Sequence, residues 1–230
     1  HAKDRRQRQM CIRDRPMPHW LDFFCYTMFV DRDGKFQLGM LSTSAFKPLA
    51  ASMGPMLKEE SFHLGTGSNG LRRIIKAGVI PLDMLQRYIN KWVSTAHDLF
   101  GVDESSSAHW AYVWGIKGRW DERKKLEANI DVSKETLNEE ARQHYHEEIV
   151  GEVRKLCGYL PEGAAKLYVP HENFNREIGT YKRQRYTVEG TLFEGTDDEW
   201  TAYVADHLPT AQDEEDLKEL FKQQWVCLLY

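Results

Sequence analysis

Lys58-Glu59-Glu60-Ser61-Phe62-His63 sets a carboxylate and an imidazole three residues apart on a segment whose apolar residues recur at helical spacing. Residues at i and i+3 share one side of a helix, and helical bundles use a Glu-x-x-His pair to aim an oxygen and a nitrogen at one metal ion. The stripe through the segment reads Phe46, Leu49, Met53, Leu57, Glu60, Leu64. Glu60 therefore occupies a core position, His63 lies one step around the same face, and Lys58 and Glu59 point outward. A carboxylate on an apolar stripe must be paired or must bind metal, because burying a bare charge is costly. This is half of a carboxylate-bridged di-iron site, and the periodicity around it predicts a mainly α chain.

Asp31, twenty-nine residues upstream of Glu60, is the expected third ligand, from the preceding helix. There Leu21, Phe24, Met28, Asp31, Lys35, Leu38 and Leu41 recur at three- and four-residue steps, although Asp31-Arg32-Asp33-Gly34 also reads as a turn. A turn would leave Asp31 at a helix end and spoil its geometry as a ligand. The second helix opens near Ser44 with Pro48 in its first turn, and Pro55 is expected to kink it. Gly65, Gly67 and Gly70 are expected to loosen it before Leu71 to Ala77, with Gly78 as the stop. Pro81 starts a third helix, with Leu85, Tyr88, Ile89, Trp92 and Ala96 on one side, ending at Gly101.

The aromatic run His109 to Trp114 reads as a short buried helix behind Ser105-Ser106-Ser107, and two further helices cover Trp120 to Ala128 and Lys134 to Tyr159. Arg185 to Val188 and Thr191 to Phe193, separated by Glu189-Gly190, suggest a small β-hairpin, and Asp197 to Leu220 reads as an acidic helix with a thin apolar face. The expected partition is a partial bundle over 16–160 and a C-terminal extension over 161–230. Residues 1–15, with six basic and two acidic side chains and no amphipathic pattern, read as a non-native or disordered segment. The string Met10-Cys11-Ile12-Arg13-Asp14-Arg15 looks like translated adapter sequence. An artificial start on a truncated gene is therefore expected, with the same reading for Trp225 to Tyr230.

With 41% hydrophobic and 29% charged residues and a net charge of −4, the 230-residue chain has the composition of an ordinary globular protein and no nucleic-acid footprint. No run of about 18 apolar residues suggests a membrane span. Cys11, Cys25, Cys157 and Cys227 lack CxxC spacing, which argues against a disulfide framework or zinc site and makes a reducing cytoplasm the default location.

Glu60 to His63 is the only Glu-x-x-His in the chain. Carboxylate oxygen with imidazole suits iron or manganese, and the lack of thiolate ligands disfavours structural zinc. A rival group, Glu140, His144 and Glu148 with His146 and Glu147, has i, i+4 spacing but sits on a helix that reads as charged all round, which favours a solvated face of ion pairs. Trp110 to Trp114 suits an aromatic substrate pocket or, more commonly, core packing. Arg72, Arg73 and Lys76 suit either cofactor phosphates or a plain basic surface.

Phe29 to Leu38, Lys58 to Gly67, Ser106 to Gly115 and Leu137 to Tyr145 together resemble the component B family of benzoyl-CoA oxygenases, the epoxidases of aerobic benzoate breakdown. The Lys58 to His63 element and Trp114-Gly115-Ile116-Lys117 also resemble the catalytic chain of the related phenylacetyl-CoA epoxidases. The resemblance covers about residues 20 to 205. It implies a ferritin-like bundle with two irons in two similar half-sites, Asp31, Glu60 and His63 matching the second. It also implies dioxygen as co-substrate, benzoyl-CoA as substrate of 2,3-epoxidation, and electrons from a separate NADPH-dependent reductase carrying FAD and iron–sulfur groups. The first half-site is expected upstream, so the chain is expected to be inactive alone. A non-catalytic ferritin-like subunit is the alternative from another class, and it predicts loss of the three ligands rather than their retention.

Overall fold

The computed structural model describes residues 19–121, 136–177 and 183–222. Its helices are α1 (Trp20–Leu41), α2 (Lys47–Ala77), α3 (Leu82–Leu99), α4 (Ser106–Val113), α5 (Leu137–Cys157), α6 (Asp197–His207) and α7 (Ala211–Lys222). The fold is mainly α, a helical bundle in which α1 packs most extensively on α2, then on α3 and α5.

Helix α1 runs through Asp31-Arg32-Asp33-Gly34 without a turn. Burial explains this: Met28, Phe29, Arg32, Asp33 and Phe36 are all buried there, so leaving the helix would strand their backbone groups away from water. The face presented to the core is Leu21, Cys25, Met28, Phe29, Phe36 and Met40, rotated from the expected stripe, since Lys35 and Leu41 are only partly buried. Helix α2 starts at Lys47 rather than Ser44, with Pro48 in its first turn and Pro55 inside, and Gly78 closes it in the left-handed region at φ 64°.

The glycines in α2 do not loosen the helix. A Cβ on Gly67 would lie 2.5 Å from the Met28 amide nitrogen, and one on Gly70 would lie 2.2 Å from the Phe24 ring. Both mark where α1 and α2 approach closely, at Gly67 backbone against backbone.

Helix α5 is not charged all round: Leu137, Ala141, Tyr145, Ile149, Val153 and Leu156 form one buried stripe at four- and three-residue steps. Its first turn is capped from afar, because the Asp103 carboxylate accepts hydrogen bonds from the amides of Asn138 (2.9 Å) and Glu139 (3.0 Å). The short helix α4 contradicts its expected burial. It has no buried residue, and Trp110, Val113 and Trp114 are about half exposed or more.

The expected β-hairpin reduces to one antiparallel bridge between Tyr186 and Leu192, with no strand among the described residues. The Thr187 amide donates to the Thr191 carbonyl (2.8 Å) and the Phe193 amide to the Arg185 carbonyl (2.7 Å) on either side of the bridge, while in the turn the Val188 carbonyl accepts from the His171 amide (2.8 Å) and the Val188 amide donates to the Tyr203 hydroxyl (3.0 Å). The acidic stretch is two helices interrupted at Leu208-Pro209-Thr210, and Leu217 of α7 joins the core. The readings for residues 1–15, for most of Trp120 to Ala128, and for Trp225 to Tyr230 lie outside the described residues. No helix among the described residues is long and apolar enough to cross a membrane.

His19 ties α1 to its surroundings. Its Nδ1 accepts from the Asp22 amide (3.1 Å), its Nε2 lies 2.9 Å from the Tyr88 hydroxyl, and its ring stacks on Phe221 of α7. Burial pushes its pKa down to about 4, with Lys91 and Lys218 adding to the shift and Asp22 opposing it. Because the folded pKa lies below the unfolded one, this contribution is complete above about pH 6.5 and is lost as pH falls through 4. The difference in urea-unfolding free energy between native protein and His19→Asn is expected to shrink by about 3 kcal/mol between pH 7.5 and pH 4.

Candidate metal centre

Asp31 of α1 and Glu60 and His63 of α2 each offer one ligand atom, and these atoms all lie within 4.8 Å of one another. His63 Nδ1 is 3.7 Å from Asp31 Oδ2 and 3.5 Å from Glu60 Oε2. Among the described residues this is the only group of three or more such side chains. The two carboxylates are mostly buried, while the His63 side chain is half exposed, so the group opens to solvent on its imidazole side. Two hard oxygens and one borderline nitrogen, with no thiolate, fit iron or manganese better than structural zinc. As one carboxylate plus a Glu-x-x-His pair, the donors make up half of a bundle di-metal set.

Helix continuity places these ligands. Gly34 of α1 lies against the Glu60 side chain, where an added Cβ would make an ordinary contact with Oε1 at 3.5 Å. Arg32, buried beside Asp31, pairs with Glu148 of α5, and Lys35 donates to the same carboxylate at 2.7 and 2.8 Å. Against the burial that would raise it, these two cations hold the Glu148 carboxyl below the usual range.

Asp33 is a neighbour that sequence reasoning misses, because its tetrapeptide reads as a turn. It is fully buried, and burial pushes its carboxyl up to about 7, helped by Glu60 and opposed by Gln37 and Lys117. Gln37 donates to it at 3.1 Å and accepts from Lys117 at 3.1 Å, and Lys117 also donates to Asn138 at 2.6 Å. This polar chain links α1, the segment after α4 and the start of α5 directly behind the ligands.

The rival group does not converge. Glu148 is taken by Arg32 and Lys35, Glu140 faces Arg119 at 3.6 Å, and His144 faces Glu147 at 3.4 Å. His146 turns to His97 of α3, nitrogen to nitrogen at 3.3 Å. Arg72 and Lys76 lie over the Tyr159 ring at 6.0 and 4.9 Å, a basic surface on α2. Cys25 and Cys157 are free thiols, and Cys11 and Cys227 lie outside the described residues.

Residues 1–217 match the family described as phenylacetic acid catabolic protein. The chain belongs to that family. Within the wider group of similar proteins, it is 33% identical over 238 aligned residues to benzoyl-CoA oxygenase component B of Aromatoleum evansii, covering 85% of this chain and 50% of that protein. It is 25% identical over 181 residues to one of the subunits of the 1,2-phenylacetyl-CoA epoxidase of Escherichia coli (strain K12), covering 78% of this chain and 51% of that protein. The chain thus spans about half the length of the curated relatives it matches. The two relatives are named as an oxygenase component and an epoxidase subunit.

Proposed function

We propose that this chain is part of a ferritin-like di-iron monooxygenase that epoxidises the aromatic ring of benzoyl-CoA. The convergence of Asp31, Glu60 and His63 within 4.8 Å carries the reading. The name of the Aromatoleum evansii relative supports the choice of benzoyl-CoA. In this reading one atom of dioxygen enters the 2,3-bond of the ring, and the other leaves as water with two electrons and two protons. The electrons come from a separate NADPH-dependent reductase holding FAD and iron–sulfur groups, and the setting is the cytoplasm.

When bound, the two irons supply the redox chemistry that activates dioxygen. The chain's own part is to hold metal: Asp31 and Glu60 contribute negative oxygens that offset the cationic charge, and His63 contributes a neutral nitrogen from Nδ1. The Arg32–Glu148 pair ties α1 to α5 beside Asp31 and so helps to aim it. Three donors are half of the bundle set, so the remaining donors come from another polypeptide segment. The chain alone is therefore expected to give no epoxide when mixed with reductase, NADPH, dioxygen and benzoyl-CoA. Two tightly bound irons per single chain together with turnover would refute the half-site reading.

Phenylacetyl-CoA is the second substrate to consider, on the strength of the Escherichia coli relative. Competition between the two thioesters on a complete enzyme carrying this chain separates them. Benzoyl-CoA is expected to be preferred.

A further inference from the structure

His97, near the end of α3, is fully buried, and His146 of α5 is partly buried beside it. His97 Nε2 and His146 Nδ1 lie 3.3 Å apart, with the ring centroids at 5.3 Å. One proton serves this contact, and what the remaining nitrogens meet decides which ring carries it. His97 Nδ1 is buried with no hydrogen-bond partner among the described residues. A proton there would be a buried N–H without an acceptor, which is rarer and costlier than a bare lone pair. The proton therefore sits on His97 Nε2, and His146 Nδ1 accepts it.

A further proton on either ring destroys this arrangement. On His97 it would occupy the unpartnered Nδ1, and on His146 Nδ1 it would set N–H against N–H. The charged groups around the pair come from three sides. Arg142 of α5, with Arg176 and His171 of the segment after it, opposes charge on His97, while Asp98 on its own helix is held by Arg176 at 3.3 Å. Glu172 and Glu147 favour charge on His146, and His171 opposes it. Toward α1, the Tyr145 ring stands edge to face against His97 at 5.3 Å, and Arg32, Asp33 and Glu148 act on its hydroxyl. Burial outweighs the carboxylates, so both imidazoles titrate below the ordinary histidine range, His97 well below it. The two nitrogens are also spaced to clasp a cation. A metal ion on Nε2, however, would force the His97 proton onto Nδ1, and the Arg142 and Arg176 guanidiniums would repel the ion.

We propose that the neutral His97–His146 contact is an acid-released latch that holds α5 on α3, opened by one added proton. Its reach follows from what α5 carries. The Tyr145 hydroxyl donates to the Phe29 carbonyl of α1 at 3.1 Å, and Glu148 takes Arg32. Helix α5 thus grips α1 on both sides of Asp31, and its release loosens α1 there. Because both folded pKa values lie below the unfolded one, the latch is complete above about pH 6.5 and is lost as pH falls.

The test follows amide hydrogen exchange of the full chain between pH 7.5 and pH 5, with opening constants corrected for the intrinsic rate. A histidine kept neutral in the closed state and ordinary in the open one raises opening about thirtyfold over this range. At Tyr145 to Ile149 the native rise is expected to exceed, by about tenfold or more, that of the paired replacement His97→Gln with His146→Gln. In that pair one side-chain amide donates to the other without titrating. Should it fail to fold, nitrogen NMR of the native histidines reads the latch directly, with His97 expected in the Nε2–H form at pH 7.5. An equal rise in native and paired chains overturns the latch. A native His97 that is charged, or protonated on Nδ1, at pH 7.5 overturns it as well.

Discussion

Gly67→Val is expected to destabilise the fold by about 3 kcal/mol or more, measured by urea unfolding at neutral pH. A Cβ at this position would meet the Met28 amide nitrogen at 2.5 Å, the Met28 Cα at 2.8 Å and the Thr27 carbonyl carbon at 2.9 Å. All three are backbone atoms, so no change of rotamer relieves the clash, and the helices must move apart. Met28 lies one helical turn before Asp31, so the same movement is expected to separate Asp31 from Glu60. Gly65 is the contrast: its added Cβ would meet nothing within 4 Å. Gly65→Ala is expected to raise stability by about 1 kcal/mol, because the helix then loses only the intrinsic penalty of glycine. Equal loss in both variants would show that the glycines act through chain flexibility and not through the helix crossing.

Glu148→Ala is expected to cost about 3 kcal/mol or more, because it leaves the Arg32 guanidinium buried without its carboxylate. The Arg32 side chain is 6% exposed, which denies it the water that would replace the partner. Lys35 is 39% exposed and turns to solvent at little cost. The paired replacement Arg32→Met with Glu148→Leu removes both charges, and it is expected to recover most of the loss. If the single and paired variants prove equally unstable, the ion pair is not what holds α1 against α5.

Much of the bundle is legible in the sequence because its long helices carry apolar residues at three- and four-residue steps. The convergence of Asp31, Glu60 and His63 is legible for the same reason: a Glu-x-x-His on an apolar stripe, with an aspartate one helix earlier, leaves few alternatives to metal or a salt bridge. What the sequence hides has physical causes. Gly67 and Gly70 are helix-weakening by propensity, but here they sit where two helices touch, and a contact between helices is absent from local sequence. The α5 stripe is hidden because one apolar residue per turn is outnumbered by charged neighbours. The aromatic run 109–114 reads as core on composition. Exposure, however, depends on what lies opposite, and Trp114 stays 66% exposed among the described residues. The hairpin shrinks to one bridge flanked by the Thr187–Thr191 and Arg185–Phe193 backbone bonds, and the Val188 backbone in its turn is held by the His171 amide and the Tyr203 hydroxyl, partners absent from the local sequence.

The Asp103 carboxylate, which caps α5 from more than thirty residues away, makes the start of that helix a reporter on a different part of the molecule. The amides of Asn138 and Glu139 lie in the first turn, where no carbonyl of their own helix can take their protons. Their hydrogen exchange therefore tracks the docking of the segment after α3 and not the winding of α5. In an exchange experiment these two amides should lose protection together with residues 101–103, ahead of the buried stripe from Ala141 onward. Retention of the local joint next to Lys117 and Asp33 can thus be followed at two backbone positions, without any probe placed among Asp31, Glu60 and His63.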